Sequence, residues 1–115
     1  MKSFFLFCLI LGASLVSGCG GPGELDVFAQ CITDAGAVMY GADWCPHCQE
    51  QKELFGRKSF KLVNYVECEQ RPGDCLAARI DGYPTWILGE ERLSGKQSLE
   101  TLSEKTGCPL PEETS

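Results

Sequence analysis

The chain has 115 residues, with 16 acidic against 10 basic side chains and a formal net charge of −6. That length accommodates one domain with one modest core and no second, and the acidic, interspersed charge describes a solvated surface and excludes a binder of nucleic-acid phosphates. Eight cysteines in so short a chain point to an oxidising compartment, where disulfides persist.

At the N-terminus Lys2 precedes an apolar run over residues 4–16, closed by the small residues Ser17 and Gly18. A membrane-spanning helix needs about 20 apolar residues, so this run has the form of a cleaved export signal over residues 1–18. The stretch "LVSGC" resembles the lipobox of bacterial lipoproteins. That resemblance implies acylation of Cys19, a bacterial envelope or periplasmic location, and membrane contact through a lipid anchor alone. Ordinary cleavage nearby, leaving Cys19 a spare thiol, is the alternative. Residues 20–23, "GGPG", cannot hold a regular element and complete a short tether over 19–23.

The domain is expected over residues 24–108. Leu25, Phe28, Ala29 and Ile32 recur at helical spacing and predict a helix from Glu24 to about "DAG". "AVMYGA" reads as a short buried strand. Cys45 opens the next helix, with Pro46 in the first turn, where a missing N–H costs nothing. "KLVNYVEC" (61–68) reads as a second strand. "RPGDCLAARI" begins as a turn and becomes a helix, with Asp74 near its start. "PTWILGEERLSG" is a strand, a glycine-containing turn and a return strand. "SLETLSEKTG" opens with half a capping box, Ser98 and Thr101, and stops at Gly107 before Cys108 and Pro109. Residues 109–115, "PLPEETS", read as a flexible tail.

Helix, strand, helix, strand, helix, hairpin, helix is a layered α/β order. With "DWCPHC" at a strand-to-helix junction and "GYPT" further on, the chain resembles the thioredoxin-like family, which implies a central mixed β-sheet flanked by helices. The fuller pattern "FAQC…GAVMYGADWCPHCQEQKELFG…YVEC…GYPTW" is similar to the thioredoxin-like domain of vitamin K epoxide reductase homologues. The Pro-His pair inside Cys-x-x-Cys resembles DsbA-type oxidants. These resemblances imply Cys45 and Cys48 as the redox-active pair and a cis bond before Pro84 that presents the backbone of Tyr83 to substrate. They also imply cysteine-containing exported proteins as substrates and a membrane redox partner of the vitamin K epoxide reductase type. The acid and lysine that thioredoxins place near the second cysteine fall here on Met39 and Tyr65; Asp43 and Glu67 are candidate substitutes.

The residues support the same chemistry independently. A thiolate attacks a disulfide, so the attacking sulfur needs exposure and a setting that favours its anion. Cys45 at a helix N-terminus has both, Cys48 one turn inward is placed to resolve the mixed disulfide, and His47 can add a hydrogen bond or positive charge. Trp44, beside the attacking cysteine, is a candidate wall of the site. Zinc competes for any Cys-x-x-Cys beside a histidine, but a structural site needs four ligands, and no metal or cofactor is expected. Cys68 and Cys75 flank the turn "EQRPGD" and are expected to form a structural disulfide. Cys31 and Cys108, near the ends of the first and last helices and expected on opposite faces of the sheet, are a possible second one; the alternative is a buried thiol and a loose one. The leading function is oxidation or isomerisation of disulfides. A reductant fed by a membrane electron carrier and a non-catalytic, disulfide-stapled binding lipoprotein are the alternatives.

Overall fold

The structure, a computed structural model, describes residues 23–112. The expected signal at 1–18, Cys19 with most of the tether, and the last three residues of the tail lie outside the described residues.

α1 (Asp26–Asp34) buries Phe28, Ala29 and Ile32 on one face, and Gly36 then turns the chain with φ of 100°. β1 (Ala37–Gly41) follows, with Ala37, Met39 and Gly41 buried in alternation, the period of two expected of a strand. α2 (Pro46–Phe55) ends at Gly56, whose φ of 86° is open to a residue without a Cβ. The remaining elements are α3 (Arg57–Phe60), β2 (Tyr65–Glu67), α4 (Pro72–Ala77), β3 (Thr85–Leu88), β4 (Glu91–Ser94) and α5 (Leu99–Thr106). Ser98 caps α5 by accepting the N–H of Thr101 at 3.0 Å, and Gly107 closes it in the left-handed region with φ of 80°.

The strands form one sheet in the order β2-β1-β3-β4. β1 runs parallel to β2, pairing Met39 with Tyr65, and antiparallel to β3, pairing Met39 with Trp86. β3 and β4 form the antiparallel hairpin. A mixed four-stranded sheet flanked by helices, with the cysteine pair at the β1–α2 junction, is the thioredoxin-like α/β fold.

Two local expectations are corrected. Residues 61–68 do not form one strand: α3 and a turn occupy the chain up to Asn64, and β2 begins only at Tyr65. Leu62 and Val63 donate back to Ser59 and Phe60, so their apolar side chains reach the core from a turn instead of a ladder. The first and last helices are also not on opposite faces. Phe28 and Ile32 of α1 and Leu102 of α5 share one core cluster with Met39, Cys48, Phe55 and Trp86. The opposite face holds a smaller cluster, Val66 with Cys68 and Cys75, to which Val38, Tyr40 and Ile80 add partial cover.

One polar side chain lies inside the main core. Gln51, fully buried, accepts from the indole Nε1 of Trp86 at 3.0 Å and from the backbone N–H of Gln97 at 2.7 Å, and donates to the Gln97 carbonyl at 2.9 Å. Those bonds satisfy each polar atom, as burial demands, and tie α2 to β3 and to the segment before α5. Residues 109–112 have no regular structure, yet Leu110 packs against the main core, so the domain holds the chain past residue 108.

Cys31 is joined to Cys108 and Cys68 to Cys75, with sequence separations of 77 and 7. In the chain-entropy model the larger loop restrains the unfolded chain by about 4.5 kcal/mol and the smaller by about 2 kcal/mol. Replacing both Cys31 and Cys108 by Ser is therefore expected to lower unfolding stability about twice as far as replacing Cys68 and Cys75, measured as the shift in urea midpoint. Equal losses would show that local packing, and not loop closure, sets the contribution.

Candidate active site

Cys45 is the residue that caps α2. Its extended backbone (φ −78°, ψ 120°) ends the loop from β1, and its sulfur accepts the backbone N–H of Cys48 at 3.3 Å. A helix N-terminus leaves such donors without intrahelical partners, and aimed at a sulfur they serve negative charge on it. Pro46 occupies the first helical position, where its missing N–H leaves nothing unpaired. Cys45 and Cys48 are both free thiols.

The two sulfurs differ in environment less through exposure than the sequence suggests. Cys45 is 5% exposed and Cys48 is 0% exposed, so the expected exposure of Cys45 is cut to a small opening. Part of the cover is Tyr83, whose carbonyl oxygen lies 3.8 Å from the Cys45 sulfur. The Tyr83–Pro84 peptide bond is cis, and Pro84 is buried. Burial pushes the Cys48 thiol up from 9.0 to about 12, and its hydrogen bond with Cys45 adds to the rise.

Gly41 explains how Cys48 fits. A Cβ on Gly41 would stand 2.8 Å from the Cys48 sulfur, closer than two such atoms can approach, so only a bare backbone lets α2 settle on β1 here. The sequence carried a sign of this, a glycine inside a strand pattern, which marks close approach of another group.

Trp44 is 61% exposed. Its indole Nε1 donates to Oε2 of Glu69 at 2.6 Å, and its ring meets Tyr83 edge to face at 5.9 Å. Sequence reasoning missed Glu69, because nothing in its local pattern reveals which distant ring it will meet. His47 stands away from the reacting sulfur: its side chain is 70% exposed and its Nδ1 lies 3.3 Å from Glu50, which also pairs with Lys96 at 3.1 Å. The structure does not bring the imidazole to Cys45.

Neither candidate acid replaces the one absent at Met39. Met39 is fully buried. Glu67 accepts backbone N–H groups from Asp43, Glu69 and Gln70 and so organises the loop. Asp43 pairs with Lys52 at 3.3 Å and accepts from the Tyr65 hydroxyl at 3.5 Å. Lys52 lies 4.2 Å from the centre of the Tyr65 ring. Burial first, and the charge of Asp43 second, push the Tyr65 phenol well above its ordinary range.

No family model matches the chain. Among curated proteins it is 47% identical over 90 residues to thiol–disulfide oxidoreductase LTO1 of Arabidopsis thaliana, a match covering 71% of this chain and 24% of that protein. It is 31% identical over 84 residues to protein disulfide isomerase-like 2-1 of rice, Oryza sativa subsp. japonica, covering 61% of this chain and 23% of that protein. A probable protein disulfide-isomerase A6 of Medicago sativa is 29% identical over 85 residues, covering 62% of this chain and 23% of that protein. The chain thus spans about a quarter of the length of the curated relatives it matches. Among solved structures, the glutaredoxin-like NrdH-redoxin of Escherichia coli matches with a TM-score of 0.47 and 17% identity, covering 65% of this chain and 97% of that one. Mitochondrial thioredoxin 3 of Saccharomyces cerevisiae matches with 0.47 and 16%, covering 70% and 85%. At that level neither structure adds to the topology already described.

Fold and dithiol define a thioredoxin-like domain. The curated relatives it resembles are named as a thiol–disulfide oxidoreductase and as protein disulfide isomerases. The expected bacterial envelope location is overturned, because these curated relatives are plant proteins and point to a eukaryotic setting. The apolar run at 4–16 has the length of any export signal, and "LVSGC" is too short to identify a bacterial lipoprotein; Cys19 itself lies outside the described residues.

The upward push on the Cys48 thiol makes the stability of the reduced protein depend on pH. A thiol whose folded pKa lies above its unfolded one stabilises the fold fully below about pH 9, and that contribution is lost as pH rises through about 12. The reduced protein is therefore expected to lose stability across that window. Cys48→Ser should flatten the slope, leaving the share owed to Tyr65. A slope unchanged in Cys48→Ser would assign it wholly to other groups.

Proposed function

We propose that this chain exchanges disulfides with cysteine-containing proteins, Cys45 acting as nucleophile and Cys48 as resolving thiol, and that its leading role is isomerisation or oxidation. In the reducing direction the Cys45 thiolate attacks one sulfur of a substrate disulfide. The substrate's other sulfur leaves as a thiolate and takes up a proton. Cys48 then loses its proton, attacks the Cys45 sulfur and releases the reduced substrate, leaving a Cys45–Cys48 disulfide. Run backwards, the same steps oxidise a substrate dithiol.

The observation that carries the choice of role is the setting of Cys48. Its buried thiol holds its proton to about pH 12, and neither Asp43 nor Glu67 is placed as a dedicated base. Resolution is slow under those conditions, so the substrate stays linked to Cys45 long enough for its own thiols to attack the mixed disulfide. That sequence is isomerisation. Net oxidation requires a supply of Cys45–Cys48 disulfide. The likeness to the thioredoxin-like domain of vitamin K epoxide reductase homologues, together with the DsbA-type Pro-His pair, supports a membrane protein disulfide as that oxidant. No helix among the described residues is long and apolar enough to cross a membrane. Cys31, Cys68, Cys75 and Cys108 are engaged in disulfides, which supports work in an oxidising compartment.

Reactivation of a protein with scrambled disulfides tests this reading. Cys45→Ser is expected to fall to the uncatalysed background, and Cys48→Ser to accumulate mixed disulfides that disappear on reduction. A Cys48 thiol that alkylates faster than Cys45 at neutral pH would reverse the two roles. A reduction potential close to thioredoxin's, about −270 mV, would move the leading role to reduction.

A further inference from the structure

Arg79 has φ of 58°, in the left-handed region that a residue with a Cβ enters only at a cost. The reason lies in how α4 ends. The N–H of Arg79 donates to the Leu76 carbonyl and that of Ile80 to the Cys75 carbonyl, both at 3.0 Å. These are the paired bonds of a helix stop whose left-handed position ordinarily belongs to glycine. An arginine stands there instead, and the carbonyls of Ala78 and Arg79 find their donors in another element. The guanidinium of Arg92 in β4 reaches both: Nη2 donates to Ala78 at 2.8 Å and Nη1 to Arg79 at 3.2 Å. A cation at a helix C-terminus also answers the partial negative charge there. Arg92 makes no ion pair among the described residues, so no carboxylate competes there for the fork.

The short segment that begins at this stop leads to the reacting sulfur. The Gly82 carbonyl accepts from the Thr85 hydroxyl at 2.7 Å, the Tyr83 carbonyl lies 3.8 Å from the Cys45 sulfur, and the Pro84 carbonyl accepts the N–H of Gly95 at 2.8 Å. The β4 region therefore holds residues 78–84 at both ends. Arg92 grips the first end from within the strand, and Gly95, the residue after Ser94, grips the second. Tyr83 lies between two fixed points.

We propose that Arg92 is a positioning residue for substrate: by gripping the carbonyls of Ala78 and Arg79 it fixes the turn after α4, and with it the place at which the Tyr83 backbone meets a polypeptide bound at Cys45. The assignment rests on the function proposed above. It narrows the substrates to disulfides within a polypeptide, because the segment held in this way offers main-chain groups, with which a substrate strand can pair and a small organic disulfide cannot.

The test compares wild type, Arg92→Ala and the double variant Arg79→Gly/Arg92→Ala on two substrates, a fluorescence-quenched peptide with one internal disulfide and hydroxyethyl disulfide, with reduced glutathione as the electron source. Arg92→Ala is expected to raise KM for the peptide about fivefold, the scale of losing exposed hydrogen bonds, with kcat and the turnover of hydroxyethyl disulfide held within about twofold. Glycine adopts a positive φ without the Cβ penalty, so Arg79→Gly removes the need for the guanidinium and the double variant is expected to recover most of the peptide KM. A wild-type protein that turns over no peptide disulfide would overturn the proposed function and this assignment with it. Peptide turnover by wild type with an unchanged KM in Arg92→Ala overturns the Arg92 assignment alone. So does an equal loss on both substrates, which would mark a general loss of structure. A double variant as impaired as Arg92→Ala overturns it too, because the charge of the guanidinium and not its hold on the turn would then be responsible.

Discussion

The contact on which this domain is arranged is the Cys48 sulfur against the bare backbone of Gly41. With 2.8 Å to an imagined Cβ, the first turn of α2 lies as close to the end of β1 as a sulfur and a peptide unit allow. That approach buries Cys48 fully. It also leaves Cys45 as the cap, one residue ahead of the helix, with the Cys48 N–H directed at its sulfur. Burial of one thiol and helix-end placement of the other are therefore two results of a single packing decision, and the chemical asymmetry of the pair follows from it.

Further along α2 the helix is secured by a polar contact inside an apolar core. Gln51 sits one turn after His47 and faces Trp86 of β3, the strand that follows the cis Tyr83–Pro84 bond. Removing the amide would leave the indole N–H and the two Gln97 backbone groups without that partner, at about 1–3 kcal/mol for each one left buried and unpaired. The same amide therefore sets the distance between the helix that carries the cysteines and the strand that carries Tyr83. Phe55, at the other end of α2, adds a stacked contact with Phe28 and a tilted one with Trp86. The helix is registered on the sheet at its first, middle and last turns.

What the sequence made legible was whatever local chemistry decides. Proline after Cys45, glycine after Thr106 and serine before Leu99 mark helix ends by backbone geometry, and each lies at a helix end in the structure. The short apolar run around Met39 identifies β1. β2 was overextended because Leu62 and Val63 have the apolar, branched character of strand residues, yet use it from a turn to cover the core. The placement of α1 and α5 on one face was not legible, since it depends on Phe28 and Ile32 meeting Leu102 in one core cluster, far along the chain. In the site, the cysteine pair was visible through its spacing, whereas Glu69, Gln51 and Lys52 act through contacts 25, 35 and 9 residues away, distances over which no local pattern speaks.

Those long-range contacts also explain how a site can lack the usual acid and lysine and still be orderly. Met39 lies in the same core cluster as Cys48, and the cation nearby, Lys52, is drawn to Asp43 and to the Tyr65 ring. Lys52 eases the charge on Cys48, but burial is the larger influence and raises the thiol regardless. A domain built this way holds its second sulfur as a protonated reserve. Under the function proposed above, the time a substrate stays attached to Cys45 then matters more than any proton acceptor, and the Tyr83 backbone beside that sulfur gains consequence accordingly.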